Sequence, residues 1–233
     1  MNQDTRFEYS GTANLEVMAE AVRYNAFLNA WVHDGARGAA AVLDFGAGLG
    51  TFARTLSARG LSVRCVEPDQ AQRAVISATG LPVHASLQEV KPADVDLVYT
   101  LNVLEHIDDD LQALADIRRV LRHGGRLFVY VPAFQCLYSS MDQRVGHVRR
   151  YRKAELVAKL QRSGYIVSRA EYVDSLGFLA AWVYKFTDRS GGHLNLRALA
   201  FYDRWCFPVS RTLDQLGCRY WFGKNVLVEA RVA

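Results

Sequence analysis

The run Val42-Leu43-Asp44-Phe45-Gly46-Ala47-Gly48-Leu49-Gly50-Thr51-Phe52 constrains this chain more than any other stretch. Apolar residues lead into an acid, three glycines follow at alternate positions, and a helix-forming run continues from Phe52 through Leu56 to Arg59. That order predicts a strand, a tight glycine loop and a helix. Glycine is wanted where a chain reverses sharply beside a ligand, because a Cβ would block positive φ or close backbone approach. The loop is therefore expected to hold a small molecule against its main chain.

The residue types narrow the choice of molecule. A dinucleotide fingerprint needs G-x-G-x-x-G and offers a helix N-terminus to an anionic pyrophosphate. Here Gly46, Gly48 and Gly50 give G-x-G-x-G, and Thr51 stands where the third glycine belongs. Asp44, expected at the mouth of the loop, would repel a pyrophosphate and attract the ammonium of a methionine moiety, directly or through water. The charge pattern favours S-adenosylmethionine. A second strand, Ser62 to Val66, runs into Glu67-Pro68-Asp69. An acid at that strand end lies beside the first loop and can accept both ribose hydroxyls. Glu67 fits that post for either nucleoside.

A third element separates them. The strand Val95 to Thr100 leads into Leu101-Asn102-Val103-Leu104-Glu105-His106-Ile107, then a helix to Leu121 closed by Gly124-Gly125. With these residues the chain resembles the class I S-adenosylmethionine-dependent methyltransferases over roughly residues 41–172. Asp44 to Gly50 is similar to their first motif, and Leu104-Glu105-His106-Ile107 to the segment that follows their fourth strand. The resemblance implies an α/β fold: a seven-stranded, mostly parallel sheet with helices on both faces and the last strand antiparallel. It implies S-adenosyl-L-methionine as cofactor and S-adenosyl-L-homocysteine as product. Tyr24, on a leading helix that acts as a lid, would join Asp44, Gly46, Ala47, Gly48, Thr51, Phe52, Glu67 and Pro68 in holding them. Ser86 and Leu87 would border the adenine, where many members carry an aspartate instead of this serine. Leu101, Asn102 and Val103 complete the set at the carboxyl end of the fourth strand, where open α/β sheets place ligands.

The 233 residues suit a single domain, and a hydrophobic content of 50% excludes a disordered protein. The expected division is a helical cap over 1–35, a cofactor-binding core over 36–173, an aromatic insertion over 174–224 and the last strand over 225–233. A net charge of +4 with Lys and Arg spread along the chain reads as solvated surface and argues against a nucleic-acid partner. Cys65, Cys136, Cys206 and Cys218 form no C-x-x-C pair and have no histidine at ligand spacing, so reduced thiols in a cytoplasmic protein are expected, with no metal. The resemblance gives His106 two readings, a metal ligand or base as in some RNA-modifying relatives with a Glu-His pair here, or the commoner structural residue, which is the one expected. Met1 to Gly11 is polar, unlike a secretory leader, and no apolar run approaches a bilayer span.

In the cap, Leu15, Met18, Val22, Ala26, Phe27 and Trp31 follow helical spacing and form a packing stripe. Glu105 and His106 are expected to begin a helix whose buried face is Leu104, Ile107, Leu111, Leu114, Ile117 and Leu121. Beyond the fifth strand, Arg126 to Val131, lies the richest polar cluster, with Tyr138, Asp142, Arg144, Gly146, His147, Arg149, Arg150 and Tyr151. The pattern D-x3-G-H-x-R-R-Y over Asp142 to Tyr151 resembles a bacterial subgroup of stand-alone methyltransferases, some acting on cell-surface sugars; Arg152 stands where that subgroup has a serine cap. Two readings stay open. The loop faces the acceptor, with His147 as first and Asp142 as second candidate base beside Arg150 and Tyr151, since imidazole titrates near neutrality. Alternatively an arginine pairs with Asp142 and clamps the loop.

The implied activity is in-line methyl transfer to a small-molecule, sugar or lipid-linked acceptor, at oxygen. The competing classes are a NAD-dependent oxidoreductase and a non-catalytic S-adenosylmethionine-binding scaffold. Residues 174–224 carry Phe178, Trp182, Tyr184, Phe186, Phe201, Tyr202, Trp205, Phe207, Tyr220, Trp221 and Phe222. They read as helices packing on the core or on a second subunit, as an apolar mouth for the acceptor, or as an interfacial foot at a membrane.

Overall fold

A computed structural model describes residues 17–18, 20–187 and 196–233; Leu15 of the expected cap stripe lies outside them. Among the described residues, seven strands form one sheet: β1 (Val42–Phe45), β2 (Val63–Val66), β3 (Val83–His84), β4 (Val95–Leu101), β5 (Leu121–Pro132), β6 (Tyr165–Val173) and β7 (Asn225–Val232). Their spatial order is β3-β2-β1-β4-β5-β7-β6. The first five are parallel, whereas β7 runs antiparallel to both β5 and β6, with Val228 opposite Val129 on one side and Ala170 on the other. After β3 the chain crosses back to place β4 against β1. The direction of winding reverses there, so a crevice opens at the carboxyl ends of β1 and β4.

Strand residues alternate between the two faces, which gives the sheet two cores. Leu127, Val129 and Val131 of β5 join Val98, Leu114, Ile117, Leu156 and Leu160 on one side. Phe128 and Tyr130 join Leu97, Tyr99, Leu28, Trp31 and Leu56 on the other. Around the sheet run α1 (Val22–Gly35), α2 (Thr51–Ala58), α3 (Gln70–Ala78), α4 (Asp110–Val120), α5 (Ser140–Val145) and α6 (Lys153–Arg162), all but α5 contributing to these cores. The side chain of Asp69 caps α3 by accepting from the Gln72 N–H at 2.9 Å.

Three local expectations shift. Leu104–His106 forms a separate 3-10 turn, and α4 begins only at Asp110, because Asp109 supplies a cap by accepting from the Gln112 N–H at 2.9 Å. The later start rotates the stripe: Leu111 is 43% exposed and Val120 is buried in its place. Val22 opens α1 and is 68% exposed, and Ala26 is exposed too, so α1 packs through Tyr24, Phe27, Leu28, Trp31 and Val32. Arg152 gives α6 no side-chain cap; the Lys153 N–H instead donates to the Tyr172 hydroxyl at 3.2 Å.

Residues 174–224 contain α7 (Ser175–Thr187), α8 (Leu196–Phe201), a π turn (Tyr202–Cys206) and α9 (Phe207–Gln215). Two buried acids tie this segment down. Asp214 accepts from the Asp174 and Ser175 N–H groups at 2.8 and 3.1 Å, joining α9 to the end of β6. Asp203 accepts from the Arg23 and Tyr24 N–H groups, both at 2.9 Å, and so satisfies the open N-terminus of α1.

Candidate functional site

The glycine loop is closed upon itself. The N–H groups of Gly46 and Ala47 donate to the Val66 carbonyl at 2.8 and 3.2 Å, and that of Gly50 to the Ala47 carbonyl at 2.8 Å. The Gly48 N–H donates to Glu67 Oε2 at 2.8 Å. Gly46 has φ +78°, and a Cβ there would come within 2.4 Å of Val103, so only glycine lets β1 turn against the end of β4. Glu67 Oε1 accepts from the Asp69 N–H at 2.9 Å, which aims the carboxylate across the loop. Burial raises the pKa of Glu67 against the opposing pull of these two amides.

Asp44 does not stand at the mouth. Strand alternation turns it to the face of Val42, beneath the loop, where it is 3% exposed and accepts from the Tyr99 hydroxyl at 2.8 Å. Burial pushes its pKa up to about 7, outweighing the Tyr99 hydrogen bond, and the nearby Glu67 charge adds to the rise. Its folded form therefore holds a proton more tightly than the unfolded chain does, so its contribution to stability falls as pH rises from about 4 to about 7. Asp44→Asn is expected to gain on the wild type by up to about 3 kcal/mol between pH 5 and pH 8. Urea unfolding at both values checks this; a difference that does not move with pH contradicts it.

A cavity of about 840 Å³ opens above the loop, within the range of cofactor sites. Apart from Asp44, every cofactor-contact residue expected from the sequence lines it, as do Asp142, His147 and Arg150. Ser86 and Leu87 line it, and Tyr24 borders the cavity with its ring edge-on to that of Tyr130, centroids 6.1 Å apart. Gln72, His106 and Lys224 also line it, and sequence reasoning missed them as site residues. Lys224 carried one faint signal, its place immediately before β7. Burial lowers its pKa, against the pull of Asp174.

The loop after β5 forms the opposite wall. Asp142, 1% exposed, takes five hydrogen bonds: from the Ser139 N–H and hydroxyl, from Arg150 Nε and Nη2 at 2.8 and 2.9 Å, and from His147 Nδ1 at 2.7 Å. Burial alone would raise its pKa, but the bonds and charges of His147 and Arg150 prevail and hold it well below the ordinary carboxylate range. Asp142 is therefore an anchor and not a base, and Arg150 is consumed in the same clamp. An ionised carboxylate only accepts, so His147 Nδ1 carries a proton, and in the neutral form of the ring the lone pair is on Nε2.

That lone pair lies 3.7 Å from Glu105 Oε1. Glu105 is fully buried, and its carboxyl oxygens make no hydrogen bond to another of the described residues; burial pushes its pKa up to about 8. His106 stands edge-on to His147 with ring centroids 4.6 Å apart, and burial, aided by His147, pushes its pKa down to about 4. Glu105, His106 and His147 thus bring three ligand-type atoms within 4.8 Å. Tyr151 leaves the site altogether: it is fully buried, its hydroxyl 2.8 Å from Asp110 and 3.1 Å from the Leu104 carbonyl, locking the loop to α4.

Residues 43–129 match the family model of the methyltransferase domain. A probable S-adenosylmethionine-dependent methyltransferase of Mycolicibacterium smegmatis is 30% identical over 161 residues, covering 66% of this chain and 61% of that protein. The chain spans between 41% and 61% of the length of the curated relatives it matches. Among solved structures, the Burkholderia thailandensis 1,6-didemethyltoxoflavin-N1-methyltransferase, with bound S-adenosylhomocysteine, superposes with a TM-score of 0.57 at 18% identity, covering 91% of this chain and 78% of its own. The cyclase SpnF superposes with a TM-score of 0.55 at 19% identity, covering 84% and 75%. The chain has the class I methyltransferase fold, a scaffold shared by more than one chemistry.

Proposed function

We propose that this chain is an S-adenosylmethionine-dependent methyltransferase acting on a hydroxyl of a small-molecule, sugar or lipid-linked acceptor. One observation carries the reading: the amides of Gly46, Ala47, Gly48 and Gly50 are already used inside the protein, and the adjoining carboxylate of Glu67 faces the cavity. A pyrophosphate would meet satisfied amides and a repelling acid. A phosphate-free nucleoside would meet an acceptor for its ribose hydroxyls. No feature of the site favours the nicotinamide alternative.

S-adenosylmethionine supplies an already activated methyl group, so the protein mainly has to align the acceptor. Positioning of this kind contributes roughly 7–11 kcal/mol. Glu67 holds the ribose, and the open backbone at Gly46 lets the ligand lie against the turn. His147 Nε2, turned to the cavity by the Nδ1–H bond to Asp142, receives the proton of the acceptor hydroxyl. Arg150 keeps Asp142 ionised and in place, and the Glu105 carboxyl lies within reach of the same imidazole.

Methyl transfer from radiolabelled S-adenosylmethionine to saccharide and lipid-linked saccharide fractions tests the activity. In His147→Ala, turnover is expected to fall roughly 100- to 10,000-fold. Its S-adenosylhomocysteine affinity should stay within about twofold, because no expected nucleoside contact is removed. Unchanged turnover would take His147 out of the chemistry, and a parallel loss of affinity would make it a binding residue.

A further inference from the structure

The aromatic segment buries its acids and exposes its rings. Trp182 and Phe186 of α7, Phe201 of α8, Trp205 of the π turn and Trp221 are each more than half exposed. Among the described residues of 175–224, the acids Asp203 and Asp214 are both buried in backbone hydrogen bonds, whereas Lys185, Arg197 and Arg204 are exposed. The Arg204 guanidinium lies over the Trp205 ring, 5.3 Å from its centroid. The outer side of the segment therefore combines large aromatic rings with positive charge and, among its own described residues, no exposed acid.

We propose that this face docks on an anionic lipid bilayer surface. Trp and Phe insert at the boundary between headgroups and acyl chains, and Lys and Arg pair with anionic headgroups, the two contributions that hold interfacial helices to membranes. A second copy of the chain fits less well, since self-pairing would set Lys185, Arg197 and Arg204 against their own like charges with no exposed acid among the described residues of the segment to answer them. No helix of the described residues is long and apolar enough to cross a membrane, so the contact is peripheral. The face adjoins the cavity: Asp203 caps α1, which carries Tyr24, and Lys185 donates to the Cys136 carbonyl in the loop that leads to His147. Docking goes beyond the methyl-transfer reading and stands without it, because vesicle binding requires no acceptor.

Sedimentation of the full chain with vesicles of phosphatidylcholine alone, or mixed with phosphatidylglycerol, tests the proposal. Binding is expected to the mixed vesicles and to weaken with salt. It should fall about tenfold or more in Trp205→Ser with Phe186→Ser, and likewise in Arg197→Glu with Arg204→Glu. Circular dichroism and S-adenosylhomocysteine affinity, measured on each variant, show that the fold and cofactor site persist. Absence of binding to either vesicle overturns the proposal, as does equal binding by both variant pairs. Self-association of the wild type that the Trp205 and Phe186 changes abolish, without vesicle binding, assigns the face to a second copy instead.

Discussion

Replacing Glu67 with alanine is expected to weaken S-adenosylhomocysteine binding roughly 100-fold or more. Hydrogen bonds to a charged group contribute about 1.5–3 kcal/mol each, and a carboxylate across a ribose accepts two. The same side chain also closes the loop, since Gly48 and Asp69 lose their acceptor together. The variant should therefore lose a little stability and most of its affinity. Glu67→Gln keeps the shape and one acceptor oxygen, so its loss should be smaller. Calorimetric titration at a temperature where both variants are folded separates the effects; alanine binding as tightly as wild type would remove Glu67 from the site.

Asp142→Ala is expected to destabilise the protein by about 3–5 kcal/mol, a large part of the stability of an ordinary domain. The Arg150 side chain is 6% exposed, and after the substitution its remaining partner among the hydrogen bonds found is the Ala133 carbonyl at 3.3 Å. A buried cation stripped of its counter-charge is costlier than the pair was favourable, so Asp142→Leu combined with Arg150→Met should recover much of the loss. The linkage has a definite sign. Because the folded-state pKa of Asp142 is depressed, its contribution is complete above the unfolded value of 3.8 and is lost as pH falls toward the lower folded value. Urea unfolding of the three proteins at neutral pH checks the energetics; a loss under about 1 kcal/mol in Asp142→Ala would mean the clamp is open in solution.

Much of the site was legible because a glycine turn and a strand-end acid are local features. Gly46, Gly48 and Glu67 needed only their own neighbours to declare a nucleoside crevice. Asp44 was misplaced because its side chain obeys strand alternation, and the partner that draws it under the sheet, Tyr99, is 55 positions away. Tyr151 failed for a similar reason: its hydroxyl is claimed by Asp110, 41 positions earlier. Of the loop's two readings the clamp is the one seen, with Arg150 paired to Asp142, and the same carboxylate receives His147 Nδ1. Lys224 and Glu105 acquire their chemistry from burial, which no spacing in the chain reveals.

Electrostatic choice between nucleosides now rests on Glu67 and on spent amides rather than on Asp44. Calorimetric titration of the wild-type protein with S-adenosylhomocysteine and, separately, with NADH tests that choice directly. Saturable binding of S-adenosylhomocysteine with no measurable heat from NADH is the predicted result. Saturable NADH binding in the absence of any S-adenosylhomocysteine signal would contradict it.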